Sequence, residues 1–223
     1  MKAGKVLLLV FGVLVLLIGA VLTVFGGALL GVNSALTDQE GFYTTNSVRL
    51  EKDSYAIVTE PIHIDLRSGL IWDWSDLTTV KVECSSNDLA KPIFVGVVAE
   101  SDLKAYLNDV DYDEITNWLT LRRADYIHHR GNSAPLAPTS EIFWLESVHG
   151  AGTQTLEWDL KTGSYSLVIM NDDGSAGIDI NVVIGMKVPL VAGIGTGFII
   201  AGPVILIIGI IMVYLAARRQ STL

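Results

Sequence analysis

The chain has 223 residues, of which 50% are hydrophobic, and it carries a formal net charge of −9. The apolar residues are concentrated in two long uncharged runs, which indicates a membrane protein with two spans. All 24 acidic residues lie between these runs, together with 11 of the 15 basic ones. Such a surface would repel phosphates, which argues against nucleic acid as a partner.

The first predicted element is a transmembrane helix over residues 6–32. At about 1.5 Å per residue this run would extend roughly 40 Å, enough to cross a hydrocarbon core of ~30 Å. Its glycines Gly12, Gly19 and Gly26 recur every seven residues. Seven residues make nearly two helical turns, so these glycines share one stripe on which a second helix could approach closely.

A cleaved signal peptide is the alternative interpretation of the N-terminus, since small residues at 32–35 surround a possible cleavage site. The apolar run is longer than the usual ~7 to 15 residues of a signal sequence. We therefore expect an uncleaved anchor.

Residues 33–187 are predicted to form one external domain. Short runs rich in Val, Ile and Thr alternate with turn residues at 55–59, 62–66, 79–84 and 93–98. Ser101 is predicted to cap a short helix that ends at Leu107. These patterns predict a mostly β domain, an antiparallel β-sandwich or jelly-roll-like fold with one short helix, flanked by two transmembrane α-helices.

The strand pattern is strongest at residues 153–169. Apolar and polar residues alternate at 156–160 and again at 165–169, with Lys161-Thr162-Gly163 between them, which predicts a β-hairpin. Cys84 is the sole cysteine of the chain, so the domain can form no internal disulfide. We expect Cys84 to be a small buried core residue.

Several short motifs lie after residue 90 of the chain, namely Phe94-Val95-Gly96-Val97, Asp113-Glu114-Ile115-Thr116, Gly150-Ala151-Gly152-Thr153 and the stretch from Met170 to Gly177. These motifs resemble those of a family of uncharacterised bacterial two-pass membrane proteins. The similarity extends from about residue 90 to the end of the chain. Members of that family often have Trp at the position of Tyr165. The resemblance implies the two-pass topology and a β-rich external domain, and it implies no activity.

One acidic segment is a candidate calcium site. Asp109, Asp111 and Asp113 alternate as ligands do at the start of an EF-hand loop. Glu114 stands where that loop requires glycine, and Thr120 stands where it requires glutamate. The alternatives are a calcium site of another kind and a solvated acidic connection.

A second oxygen-rich segment, also a candidate calcium site, contains Asp172 and Asp173 in an Asn-Asp-Asp-Gly sequence, whose residue types also suit a simple turn.

Trp72 and Trp74 would share one face of a strand, where they could stack on a sugar ring or rest at a membrane interface. Burial in the core is the alternative for both tryptophans. The four histidines have no zinc-site spacing and Ser175 lacks the G-x-S-x-G context, so we predict no catalytic residue, metal site or cofactor of these kinds.

The last predicted element is a second transmembrane helix over residues 188–217. It too carries glycines every seven residues. If the two helices run antiparallel, their glycines meet at equal depth, namely Gly12 with Gly209, Gly19 with Gly202 and Gly26 with Gly195. The sequence therefore predicts glycine-mediated helix packing, within one chain or between copies. The general tolerance of membrane helices for glycine is the alternative.

The flanking charges predict the orientation. Lys2 and Lys5 precede the first span, and Arg218 and Arg219 follow the second, which places tails 1–5 and 218–223 in the cytoplasm. The central domain would then lie outside the cytoplasmic (inner) membrane. Neither span contains Asp, Glu, Lys, Arg or His, which argues against a transport pathway within this chain.

Taken together, these features predict a cell-envelope binding or structural module that contacts membrane lipid and either a protein partner or a second copy of itself. It would act as an accessory subunit or a self-associating protein. The alternative is an external carbohydrate- or calcium-binding module, and an enzyme ranks third.

Overall fold

The computed structural model describes residues 3–64, 79–88, 90–116 and 125–218. The chain forms two compact units, one made of residues 1–41 and 188–223 and the other of residues 42–187. The described helices are α1 (Ala3–Leu36), α2 (Glu100–Tyr106) and α3 (Pro189–Ala217). The predicted β-rich domain with an apolar helix at each end of the chain is thereby confirmed.

The terminal unit consists of α1 and α3, which are both long and apolar enough to cross a membrane. They pack against each other along their length, with Gly12 next to Val213 and Gly26 next to Ile199. Because the residue numbers rise along one helix as they fall along the other, the two helices are antiparallel.

The central unit contains α2 and twelve described strands. They are β1 (Tyr43–Thr44), β2 (Val48–Lys52), β3 (Ala56–Thr59), β4 (Ile62–Ile64), β5 (Thr79–Ser86), β6 (Ile93–Ala99), β7 (Tyr112–Thr116), β8 (Asp125–His129), β9 (Glu146–Gly150), β10 (Thr153–Asp159), β11 (Gly163–Asn171) and β12 (Ile178–Lys187). A short 3-10 helix spans Pro138–Ser140.

These strands form two sheets. In sheet A, β12 pairs with β1 and β2 on one side and with β5 on the other, and β10 lies beyond β5. Sheet B has the order β8-β7-β3-β11-β6-β9, and β4 also pairs with β11. The pairs between these strands are antiparallel except for β3 and β7, which run parallel.

One hydrophobic core is built from both sheets. Sheet A contributes Val82, Leu156 and Ile180, and sheet B contributes Val95 and Ile169, all of them buried. Apolar residues alternate along these strands because successive side chains point to opposite faces. Cys84 belongs to the same cluster and is fully buried, which confirms that prediction.

A second cluster lies on the outer face of sheet B beneath α2, where Leu103 and Leu107 pack against Val58, Val98 and Met170. The helix begins directly after β6, with Ala99 at the N-cap and no side-chain capping bond. The prediction that Ser101 caps this helix is therefore wrong. The helix begins two residues earlier than the capping pattern indicated, so Ser101 lies inside the first turn.

The predicted hairpin at 153–169 is also wrong, although both of its strands exist. β10 pairs with β5 in sheet A, whereas β11 pairs with β3, β4 and β6 in sheet B. Residues 160–162 therefore connect one sheet to the other. The side chains of Trp158 and Tyr165 meet across the core, with ring centroids 5.0 Å apart.

The two ends of the central unit lie side by side. Tyr43 of β1 is paired with Met186 of β12, and Thr44 is paired with Gly185. Phe42, which precedes β1, is buried on the outer face of sheet A beneath the ammonium group of Lys81, 4.4 Å from the ring centroid. The chain thus enters and leaves this unit through neighbouring, hydrogen-bonded strands.

Candidate functional site

The contact between α1 and α3 is built on glycine. The buried residues of α1 are Gly12, Gly19 and Gly26, and those of α3 are Gly195, Gly202, Gly209 and Ala216. Ala216 continues the seven-residue spacing of α3. A strict seven-residue repeat keeps one stripe facing a partner helix over many turns.

The two backbones are in direct contact at these positions. A Cβ placed on Gly19 would lie 2.6 Å from the backbone nitrogen of Leu206 and 2.9 Å from the carbonyl oxygen of Gly202. A Cβ on Gly26 would lie 2.9 Å from both the carbonyl oxygen of Gly195 and the nitrogen of Ile199. Any side chain at these glycines would therefore push the helices apart.

Each buried glycine of α3 also contacts a larger residue of α1, which lies one turn after the glycine of α1 at the same depth. Leu16 lies against Gly209, Thr23 against Gly202 and Leu30 against Gly195. These larger residues fill the groove that each glycine leaves open. The interface is thus a repeated glycine-and-knob pattern rather than a row of glycine–glycine contacts alone.

Two side chains of this unit donate hydrogen bonds to backbone carbonyl oxygens of the helices. The hydroxyl of Thr23 donates to the carbonyl oxygen of Gly19 at 2.8 Å. Lys5 donates from Nζ to the carbonyl oxygen of Arg218 at 3.0 Å, where the C-terminal end of α3 carries partial negative charge.

Three other glycines of these helices take no part in the contact. Gly31, Gly193 and Gly197 have no atom within 4 Å of a Cβ placed on them.

The acidic segment 109–113 is divided between two surroundings. Asp109 accepts hydrogen bonds from Ser133 Oγ at 2.9 Å and from Asn132 Nδ2 at 3.2 Å, and these bonds lower the pKa of its carboxyl group. Asp111 and Asp113 lie on either side of His128, each with a carboxylate oxygen 3.3 Å from a ring nitrogen. The three carboxylates therefore do not converge on one point.

The oxygen atoms of the turn that contains Asp172 and Asp173 accept hydrogen bonds from one lysine and from amide groups. Lys91 donates from Nζ to the carbonyl oxygens of Ala176 at 2.9 Å and Gly177 at 3.1 Å. Asp173 accepts a hydrogen bond from the backbone nitrogen of Ser175, and its pKa is lowered, chiefly by Ser175. The ammonium group of Lys91 thus takes the carbonyl oxygens that a calcium ion would need.

Across the described ranges, no group of three His, Cys, Asp or Glu side chains is placed to hold a metal ion. One serine and one histidine do come close, with Ser164 Oγ 3.4 Å from Nδ1 of His63. Ser164 donates instead to Glu100 Oε2 at 2.9 Å. Glu100 thus binds the serine and not the histidine. In a hydrolase triad the acidic residue binds the histidine, so this arrangement is not such a triad.

A charged groove of about 530 Å³ lies between α2 and the β7–β8 pair. The rings of Tyr112 and His129 stack there at 4.3 Å, and His129 Nε2 lies 2.7 Å from Glu114 Oε2. The other charged residues that line it are Glu100, Lys104, Asp109 and Arg130. No local sequence pattern marks this groove, because the strand register, with Tyr112 opposite His129, is what brings these residues together.

The connection between β8 and β9, residues 130–145, exposes large apolar side chains. Ile142 is 98% exposed, Leu136 is 69% exposed and Leu145 is 49% exposed. We call this segment the apolar connection. Phe143 and Trp144 anchor it, since both pack against Tyr106 of α2.

The tryptophan prediction is tested only in part. Trp158 is buried in the core and Trp144 is half-buried. Trp72 and Trp74, the predicted stacking pair, lie outside the described residues, as does Trp118.

The sequence matches no known protein-family model and no curated protein. A solved structure reported under the heading "Bacillus endospore appendages form a novel family of disulfide-linked pili" aligns with 66% of this chain and 90% of its own chain. The alignment has 9% sequence identity and a TM-score of 0.25.

Proposed function

We propose that this protein is a membrane-anchored β-sandwich, of antiparallel or jelly-roll-like type, that acts as a binding or structural module outside the cytoplasmic membrane. Both termini lie in the cytoplasm, and the domain serves as an accessory subunit or a self-associating cell-envelope protein. The proposal includes membership of the bacterial two-pass family that the sequence resembles.

The membrane unit supports an anchoring role. The hydroxyl of Thr23, which faces α3, is satisfied within α1, and residues 6–32 and 188–217 contain no Asp, Glu, Lys, Arg or His that could serve a pathway. Its glycine stripes are used by the contact between α1 and α3 within one chain. Recognition therefore falls to the central domain.

The observation that carries the binding role is the apolar connection. In the described part of the central domain, three of the four exposed large apolar side chains, Leu136, Ile142 and Leu145, lie in this one segment. Exposed apolar side chains that are concentrated in this way mark an interaction surface.

The apolar connection is also held in place. Tyr106 donates its hydroxyl to the carbonyl oxygen of Leu136 at 2.6 Å, and Trp144 donates from Nε1 to that of Pro138 at 2.9 Å. Leu145 donates its backbone N–H to Val97 of β6. A surface that is already ordered loses little entropy on binding, which favours a protein partner or a second copy.

A single experiment tests both location and binding. Ile142→Cys is introduced into the full-length protein, and intact cells are treated with a membrane-impermeant crosslinker that reacts with thiols. Cys84 serves as an internal control, because burial raises the pKa of its thiol to about 12 and keeps it unreactive. Ile127→Cys, half exposed on β8, is the matched variant outside the apolar connection.

We expect Ile142→Cys to react from outside the cell and to yield a discrete crosslinked product, either a dimer or a complex with another envelope protein. Ile127→Cys should react without forming that product. Failure of both cysteines to react would contradict the external location. Reaction without a product specific to Ile142→Cys would contradict the binding role.

The second candidate is a carbohydrate-binding module, and the charged groove is the observation that favours it. Carboxylates and a stacked tyrosine can bind sugar hydroxyls and ring faces. Retention of the purified protein on cell-wall polysaccharide, lost in Tyr112→Ala and kept in Ile142→Ser, would select this function over protein binding.

A further inference from the structure

The core of the central domain contains a cavity of about 210 Å³ between sheets A and B. The surface of its described wall is entirely apolar. Sheet A contributes Val82, Trp158 and Ile184 to this wall, and sheet B contributes Val97 and Leu167.

The cavity lies at the end of the domain where the chain enters and leaves. Met186 lines it and is paired with Tyr43 of β1. Three residues after Met186, the apolar helix α3 begins at Pro189. The cavity is thus close along the chain to a segment suited to a bilayer.

Core side chains are less completely buried at the end of the domain that contains the cavity than at the opposite end. At the opposite end, Ile57, Ile178 and Ile180 are each no more than 1% exposed. Around the cavity, inward-facing Leu160 and Ile184 remain half-buried. The described side chains therefore close the core at one end and leave apolar surface accessible at the other.

We propose that this cavity binds the acyl chain of a membrane phospholipid. The lining includes the hydroxyl residues Thr59 and Ser166, but neither exposes polar surface to the cavity. Water needs two to four polar partners to occupy a cavity stably, and this wall presents none. An engineered apolar cavity of about 150 Å³ in another protein stays dry and takes up benzene, so a cavity of this size suits a short apolar segment. The inference rests on the membrane anchoring in the proposed function, because a bilayer is what supplies acyl chains at high local concentration.

The test uses the full-length protein in lipid nanodiscs that contain a phospholipid with a photoreactive diazirine near the end of one acyl chain. After irradiation, labelled peptides are mapped by mass spectrometry. We expect label on residues of β10 and β12 that line the cavity, in addition to label on α1 and α3. Label on the helices reports insertion into the bilayer.

Two variants fill the cavity, Val97→Phe and Ile184→Phe, and either one suffices if the other fails to fold. Each should lower labelling of β10 at least tenfold and leave labelling of α1 and α3 unchanged. Ile127→Phe, outside the cavity, should leave both unchanged. Near-ultraviolet circular dichroism verifies that each variant retains a folded core.

Labelled helices with an unlabelled domain would overturn the acyl-chain assignment while leaving the anchoring intact. Unlabelled helices would contradict the anchoring itself. In a parallel arm the same diazirine is supplied on a free fatty acid, and domain labelling from the acid alone would overturn the assignment to phospholipid.

Discussion

Substituting alanine for Gly19 should weaken the pairing of α1 and α3. The new Cβ would lie 2.6 Å from the backbone nitrogen of Leu206, where about 3.5 Å is the nearest comfortable contact. Neither backbone can rotate out of the way as a side chain could. The helices must therefore separate locally by about 1 Å.

The cost of this separation follows from the packing. A radial gap of up to about 1 Å forfeits a quarter to a half of the dispersion energy of each affected contact, and overpacked sites cost about 1 to 3 kcal/mol in total. Helix propensity does not offset the loss, because in a bilayer α1 is helical whether or not it is paired. We expect a loss of about 2 kcal/mol in pairing free energy.

The assay is a thiol–disulfide equilibrium at one end of the helix pair. Cysteines replace Lys5 and Arg218, whose side chain and backbone are in contact, and the protein is equilibrated with glutathione in mild detergent. The equilibrium gives the effective concentration of one thiol with respect to the other. A loss of about 2 kcal/mol in pairing free energy lowers this effective concentration by about 30-fold.

The matched control is Gly31→Ala in the same helix, where a Cβ meets nothing within 4 Å. Its effective concentration should remain within about twofold of the parent protein, because no contact is disturbed. Equal values for Gly19→Ala and Gly31→Ala would refute the reasoning that backbone contact at the glycines holds the helices together.

Two further predictions concern the central domain. Lys91→Met should lower the free energy of unfolding by about 2 kcal/mol, since two carbonyl oxygens of the turn at 171–177 lose a charged donor, whereas Lys161→Met on an exposed turn should change it little. Asp179 has its pKa lowered to about 2 by hydrogen bonds, first from Arg49, so its ionised form stabilises the fold above about pH 4 and this contribution disappears as the pH falls toward 2. Urea unfolding should find Asp179→Asn less stable than wild type at neutral pH and equal to it near pH 2, and a difference that persists at pH 2 would contradict the assignment.

The helix pair illustrates what glycine spacing can predict. The seven-residue repeat places Gly19 next to Gly202 and Gly26 next to Gly195, as an antiparallel alignment requires. The knobs were not predictable in the same way. Leu30, one turn beyond Gly26, packs against Gly195, and how closely it does so depends on the volume of side chains on both helices.

The sheets show a different limit. Alternation of Leu156 and Trp158, and of Tyr165 and Leu167, correctly predicts two strands that face one core. The same pattern arises whether the strands pair in one sheet or face each other across two. Pairing with distant strands such as β5 decides between these arrangements, and no local pattern encodes it.

The candidate sites depend on such distant pairings as well. Asp113 lies beside His128, and Tyr112 beside His129, because β7 and β8 pair in that register. Likewise, Lys91 binds the carbonyl oxygen of Ala176 in the turn after β11 although 85 residues separate the two in sequence. Residue types alone marked the acidic segments, whereas the partners that satisfy these carboxylates come from the tertiary fold.

The pairing of β1 with β12 has a consequence for assembly in the membrane. In an unfolded central domain, about 150 residues separate the ends of α1 and α3, and closing so long a loop is entropically costly. Folding brings Tyr43 next to Met186 and shortens the effective connection to about eight residues. Because the cost of loop closure depends on the logarithm of loop length, the shorter connection favours association of the two helices by about 3 kcal/mol. Folding of the domain and pairing of the helices are therefore thermodynamically coupled through chain connectivity alone.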